Sequence, residues 1–257
     1  MLTAFVWGLV QGLSEFLPIS SSGHLVIIPA FLNEFGFDVE PPSLAVTAVL
    51  HLGTLLAVLI YFREDIGRLA RFRTDPEGRK VALMVAIGTV PALVGLPLAG
   101  EINRFQTTVV NVGWALMATG LVLFVGQSLA NGRRQIGDLR IPDAILIGIG
   151  QALALIPGIS RSGTTIAVGN SRHFEPTEAA RFSFLLGIPA IAGGGILEML
   201  MISDTAEFDL ELVVGVAAAA VSGYFAIAIL LRALGRVGLV PFAFYCLLVG
   251  LATVLVF

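Results

Sequence analysis

Residues 11–23 read QGLSEFLPISSSG, and 140 positions later residues 151–163 read QALALIPGISRSG. Aligned, the two share Gln, Leu, Ile, Ser, Ser and Gly, with a proline displaced by one place. Each sits inside a longer apolar stretch, 1–33 and 141–170, and breaks it halfway. Neither half of such a stretch is long enough to cross a hydrocarbon core of ~30 Å, which takes about 20 helical residues. Irregular backbone at membrane depth is tolerated where protein buries it. Each stretch therefore reads as a re-entrant helix–loop–helix hairpin. The first lacks a basic leader and carries Glu15, so it reads as part of the folded protein and not as a signal peptide.

Between and after the hairpins run uninterrupted apolar segments at residues 43–62, 81–100, 107–128, 182–202 and 212–231, with a sixth at 237–257. The expected fold is an all-α polytopic membrane protein of six transmembrane helices plus two re-entrant hairpins. Composition agrees: 56% of the 257 residues are hydrophobic, 13% are charged, and the mean hydropathy is +0.92. Soluble domains carry about 25% charged residues. Cys246 is the only cysteine, which excludes an intramolecular disulfide or a cysteine-based metal cluster. With a net charge of −3 and the basic residues scattered over loops, nucleic acid is not an expected partner.

The basic residues orient the map. Six lie in 63–80 and three in 130–140; with Arg172, Arg181, Arg232 and Arg236, thirteen of fifteen fall on one face. The other face carries Glu34, Asp38, Glu40, Asp204, Glu207, Asp209 and Glu211, with Arg104 as its one base. The positive-inside rule makes the basic face cytoplasmic and puts both termini outside. Three spans separate the hairpins, so the first opens outward and the second inward. That is an inverted-topology repeat within a single membrane domain, 1–257: about 1–128 and about 141–257, with the two broken loops meeting near the midplane.

Ser20-Ser21-Ser22-Gly23 precedes a helix expected near His24, and Ser160-Arg161-Ser162-Gly163 one expected near Thr164. Serine before a helix is an ordinary N-cap. Two helix starts facing each other also present unpaired N–H groups and partial positive charge to an anion such as phosphate. A guanidinium at the membrane centre costs about 2.5–3.5 kcal/mol on insertion scales and needs an anionic partner, so Arg161 reinforces that reading. The plainer alternative is a salt bridge to Glu15. Glu15 follows Gln11 by four, on the same helix face. A carboxylate, a histidine, hydroxyls and an arginine are the groups that phosphoryl transfer uses as base, nucleophile and oxyanion clamp.

Residues 11–25 (QGLSEFLPISSSGHL) resemble the first signature of the undecaprenyl-diphosphate phosphatases of the bacitracin-resistance type, and 157–165 (PGISRSGTT) resemble the second. Residues 51–63, 181–189 and 241–245 are also similar to that family. The resemblance implies an integral enzyme of the plasma membrane that removes the terminal phosphate of a C55 prenyl diphosphate, regenerating the lipid carrier for cell-wall synthesis. It implies work at the outer face and dependence on a divalent cation, Mg²⁺ or Ca²⁺. By matching position, Ser21 is the nucleophile and His24 its proton partner, although histidine has also been considered the nucleophile and the sequence leaves the two open. Arg161 binds the diphosphate with Ser20, Ser22, Ser160, Ser162, Gly163 and Thr165. Glu15 acts as base or, with Gln11, as metal ligand. The expected partners are a long-chain prenyl diphosphate and the membrane, with a homodimer left open.

Two positions depart from the family. Gln11 stands where Glu is frequent; an amide coordinates a cation through oxygen but does not neutralise it. Cys246 stands where relatives often carry Arg. His51, Asn111, Gln127 and Gln151 read as interhelical hydrogen-bonding groups. Glu198 reads as snorkelling at a span end, Gly193-Gly194-Gly195 as close packing or a local break, and residues 63–80 as a solvated face. The rival function is a lipid or anion transporter or flippase using the same loops. The other membrane lipid phosphatases need Lys-x6-Arg-Pro, and Lys80, the one lysine, is not followed by Arg-Pro.

Overall fold

Leu17-Pro18 and Ile156-Pro157-Gly158 interrupt helix formation where the aligned segments fall. The computed structural model describes residues 1–98, 108–201 and 210–257. Arg104, Asp204, Glu207 and Asp209 lie outside the described residues, as does the side chain of Glu198. The described residues form α1 (Leu2–Phe16), α2 (Ser21–Glu34), α3 (Leu44–Tyr61), α4 (Arg63–Ala70), α5 (Pro76–Gly95), α6 (Val109–Ser128), α7 (Ile141–Leu153), α8 (Arg161–Ser171), α9 (Pro176–Met201), α10 (Leu210–Leu234) and α11 (Val240–Val256). Five of these helices are long and apolar enough to cross a membrane: α3, α5, α6, α10 and the Pro176–Ile196 part of α9. Val221, Phe225 and Ile229 of α10 and Leu248 and Leu255 of α11 are exposed, as a hydrocarbon solvent permits.

Several boundaries differ from the sequence expectation. Residues 63–80 are not a plain loop. Glu64 and Asp65 in its first turn and Arg68 in its last favour α4 through the helix dipole. Asp75 then caps α5, accepting from the N–H groups of Glu77 (3.1 Å) and Gly78 (2.9 Å), so α5 starts at Pro76 and not near residue 81. The sixth apolar segment yields a helix of only 17 residues, because Gly238 takes a left-handed φ of 67° just before α11. Gln127 serves this turn, its Oε1 accepting from the N–H of Leu239 at 2.6 Å. Gln151 is buried, but its amide has no hydrogen-bond partner among the described residues, contrary to the expected interhelical bond.

The packing pairs recur. α1 lies along α10 and α7 along α5; α3 touches α10 and α9 touches α5; α3 and α9 pack on each other, as do α6 and α11. Gly8 of α1 and Gly148 of α7, again 140 apart, make these contacts close. A Cβ on Gly8 would lie 2.3 Å from the carbonyl oxygen of Gly215, and one on Gly148 would lie 2.3 Å from that of Gly88. Small residues let helix backbones approach in this way where no hydrophobic effect drives association. At the base of the second hairpin, Asp143 accepts from Arg134 (2.6 Å) and Arg172 (2.9 Å), tying the chain before α7 to the end of α8.

Candidate active site

Both helix starts are built alike. Ser20 Oγ accepts from the N–H of Gly23 at 3.3 Å, and Ser160 Oγ from that of Gly163 at 3.1 Å. Ser20 and Ser22 hydroxyls lie 3.3 Å apart, as do those of Ser160 and Ser162. The loops also reach across: Ser162 donates to the Leu17 carbonyl at 3.3 Å, and the Gly158 N–H points at Ser22 Oγ at 3.5 Å. Thr119 of α6 braces the second loop, accepting from the Ser160 N–H (3.1 Å) and donating to the Gly158 carbonyl (2.9 Å).

One carboxylate sits where the loops meet. Glu15, at the end of α1, accepts at Oε2 from the Ser21 hydroxyl (2.6 Å) and the Gln11 amide (3.1 Å), and at Oε1 from Arg161 Nη2 (2.6 Å). His51 Nε2 of α3 stands 4.0 Å from Oε2. The corresponding place in the second segment is held by Leu155. A cavity of about 280 Å³ opens over this group, lined by Glu15, Ser20, Ser21, Ser22, His51, Ser160 and Arg161, with Ala154, Leu155, Pro157, Ile159, Ala190 and Ile191 as apolar walls. A hydroxyl held on a carboxylate beside a guanidinium and two helix N-termini is suited to transferring a phosphoryl group and stabilising its charge.

The sequence profile of the bacitracin resistance protein BacA family matches residues 4–252. The chain belongs to the BacA family. It is 43% identical to an undecaprenyl-diphosphatase of Thermomicrobium roseum, over 98% of this chain and 96% of that protein. It is 40% identical to undecaprenyl-diphosphatase 4 of Bacillus thuringiensis, over 95% and 92%, and 35% identical to an undecaprenyl-diphosphatase of Halothermothrix orenii, over 96% and 95%. Membership and the apolar helices together make it a multi-pass membrane protein.

In this BacA chain the remaining sequence-predicted residues fall in different places. Ser162 and Gly163 shape the second loop without lining the cavity. Thr165 is fully buried behind it, bonded to the Arg161 carbonyl (2.7 Å) and to Ser183 (2.6 Å), so it braces Arg161 from beneath. The expected pairing of His24 with Ser21 is absent. His24 Nδ1 lies 2.7 Å from the Ser20 carbonyl one turn back, and Nε2 lies 2.7 Å from Tyr245 Oη. Ser21 turns instead to Glu15. The expected salt bridge alternative for Arg161 is present, and both helix starts begin three residues earlier than expected, at Ser21 and Arg161.

Three residues of the BacA site escaped the sequence reading. His51 enters the cavity, although the read motif at 51–63 gave no distance to Glu15. Tyr245 reaches His24 across 221 positions. Gly187 lies behind Arg161: a Cβ there would stand 2.0 Å from Nη1, which is itself buried without a hydrogen-bond partner among the described residues. Among the described residues no group of three or more His, Cys, Asp or Glu side chains gathers to hold a metal. Gln11 Oε1, however, is a buried oxygen beside Glu15 without a hydrogen-bond partner among the described residues. Magnesium keeps several waters and binds through one or two protein oxygens plus substrate phosphates. The donor set fits a cation carried in on a diphosphate.

Proposed function

We propose that this chain hydrolyses undecaprenyl diphosphate to undecaprenyl phosphate and inorganic phosphate, recycling the lipid carrier of cell-wall synthesis. The observation that carries the mechanism is the 2.6 Å hydrogen bond from Ser21 to Glu15 in a cavity walled by Arg161. Ser21 Oγ attacks the terminal phosphorus while its proton passes to Glu15. The bond from that phosphorus to the bridging oxygen breaks, and undecaprenyl phosphate leaves. Glu15 gives that proton to the departing phosphate and, a carboxylate again, takes one from the water that attacks the phosphoserine. The bond from phosphorus to Ser21 Oγ breaks, phosphate leaves, and Glu15 returns the proton to Ser21. Arg161, the Ser20, Ser22 and Ser160 hydroxyls and the starts of α2 and α8 hold the equatorial oxygens. A divalent cation, when bound, would sit against Glu15 and Gln11 and supply further neutralisation of the diphosphate.

The remainder of the topology belongs to the same proposal. Six spans and two re-entrant hairpins in an inverted repeat are supported by the exchanged packing pairs and by the matching close approaches of Gly8 and Gly148. The charge distribution favours cytoplasmic basic loops, with the termini and the cavity mouth on the outer face of the plasma membrane. A second cavity of about 410 Å³ shares Ser21, Ser22, His51 and Pro157 with the first and runs over Leu25, Val26, Leu44 and Val112, an apolar surface suited to an isoprenoid chain. A transporter would have no use for a hydroxyl held on a carboxylate.

The test is phosphate release from undecaprenyl diphosphate by the purified chain in detergent, with Mg²⁺, with Ca²⁺ and with chelator, beside Ser21→Ala and Arg161→Ala. Cation-dependent release lost in both variants supports the reading. Folded wild-type protein that binds the lipid and releases nothing overturns it.

A further inference from the structure

We infer that His24 acts through Ser20 and not on Ser21, as the middle member of a Ser20–His24–Tyr245 buttress that sets the direction of the nucleophile, which makes Tyr245 a positioning residue. The inference rests on the phosphatase reading above. Ser20 has φ 72° and ψ 106°, a left-handed backbone that a residue with a side chain adopts only when its surroundings impose it. Its equivalent Ser160 has an ordinary φ of −74° and ψ of 119°. The unusual turn thus occurs in the half that carries Ser21, immediately before it.

The far side of the turn is held at the Ser20 carbonyl. It faces the backbone N–H of His24 at 3.3 Å and Nδ1 of the same residue at 2.7 Å. A carbonyl only accepts, so Nδ1 carries the proton and Nε2 holds a lone pair. Tyr245 fills that lone pair, donating its hydroxyl at 2.7 Å with the two rings stacked at 11° and 5.6 Å between centroids. Both nitrogens are thereby occupied and the ring is buried. Neither nitrogen is left for Ser21.

The second loop identifies the job. Thr164, the equivalent of His24, places its hydroxyl on the Ser160 carbonyl at 2.8 Å while its N–H donates to the same oxygen at 2.9 Å. A buried threonine that caps a carbonyl is not a proton carrier, yet it makes the bond that His24 makes. The two halves therefore share one device, a side chain at the fourth position clamping the cap carbonyl. The first half adds Tyr245 because its turn is the strained one.

The experiment compares kcat and KM for undecaprenyl diphosphate in His24→Ala, His24→Thr and Tyr245→Phe, with thermal unfolding of each. Losing the clamp misplaces Ser21, and His24→Ala is expected to lower kcat about a hundredfold with KM little changed. His24→Thr copies the clamp of Thr164 and is expected to return kcat to within about tenfold of wild type, and Tyr245→Phe to have no further effect in that background. Should threonine fold poorly, His24→Asn serves, since its side-chain amide keeps a donor for the Ser20 carbonyl and is expected to recover kcat in the same way. Wild type active with His24→Thr folded but as inactive as alanine, or a phosphoenzyme trapped on His24, overturns the buttress. Wild type that releases no phosphate overturns the phosphatase reading, and the buttress with it.

Discussion

Ser21 and Arg161 occupy the same position of the two repeated loops, 140 residues apart, and bind opposite oxygens of one carboxylate, Glu15, each at 2.6 Å. The hydroxyl and the guanidinium are thus equivalent in the scaffold and complementary in chemistry. Glu15 accepts from the first and neutralises the second; in the proposed reaction it takes the proton of the first and yields the second to a phosphate.

Glu15→Gln should therefore remove activity and stability together. The amide still accepts from Ser21 but leaves a largely buried guanidinium without an anion, a loss of about 3–5 kcal/mol. Adding Arg161→Met should restore much of that stability while activity stays absent. Thermal unfolding in detergent decides it; a double variant no more stable than Glu15→Gln contradicts the argument.

Gly187→Ala should separate position from fold. Its Cβ would stand 2.0 Å from Arg161 Nη1, and the guanidinium, bound at 2.6 Å to Glu15, must shift. Displacements near 1 Å lower rates about a hundredfold, so kcat/KM should fall by that order with the melting temperature nearly unchanged. The shorter Arg161→Lys should make the same glycine change almost neutral, which a double-mutant cycle reads directly.

Glycines of α1, α7 and α9 should respond in opposite senses. Gly8→Ala and Gly148→Ala each press a methyl against backbone at 2.3 Å and should lower stability by about 1–3 kcal/mol. At Gly193 and Gly194 a Cβ meets nothing within 4 Å among the described residues, so close packing against these does not explain the two glycines. Alanine there should raise stability by up to about 1 kcal/mol each. Four melting curves test both halves of the statement.

Gln11→Glu should strengthen the dependence on divalent cations. A second carboxylate would face Glu15, whose Oε2 now accepts from the Gln11 amide at 3.1 Å, and two like charges so close need a cation between them. The variant should saturate at lower Mg²⁺ and fall further in chelator than wild type. Superimposable titrations would sink the prediction.

The sequence made the loops legible because the information there is local. A cap serine three residues before its glycine, a proline break and a constant offset are all read along the chain, and Ser20 and Ser160 cap their helices as that pattern implies. Glu15 with Arg161 was legible as a charge needing a partner. What was hidden depends on contacts between distant helices with no periodic trace: His51 beside Glu15, Tyr245 on His24, Gly187 behind Arg161. The pairing of Ser21 with His24 failed for a related reason. Three residues of separation say that two side chains are near, but the left-handed turn at Ser20 decides where each points. Asp75 moved the start of α5 because a cap overrules the hydrophobic boundary.

Leu155, standing where a second Glu15 would complete the repeat, has a regiochemical consequence. A cradle with both the acid and the serine repeated on each side would receive a diphosphate in either sense, and both of its phosphorus atoms would meet a nucleophile in turn. With an acid on one wall and a guanidinium on the other, the two phosphates are told apart as they dock. In the proposed reaction the terminal group alone then faces Ser21, and the prenyl chain departs with its inner ester bond intact.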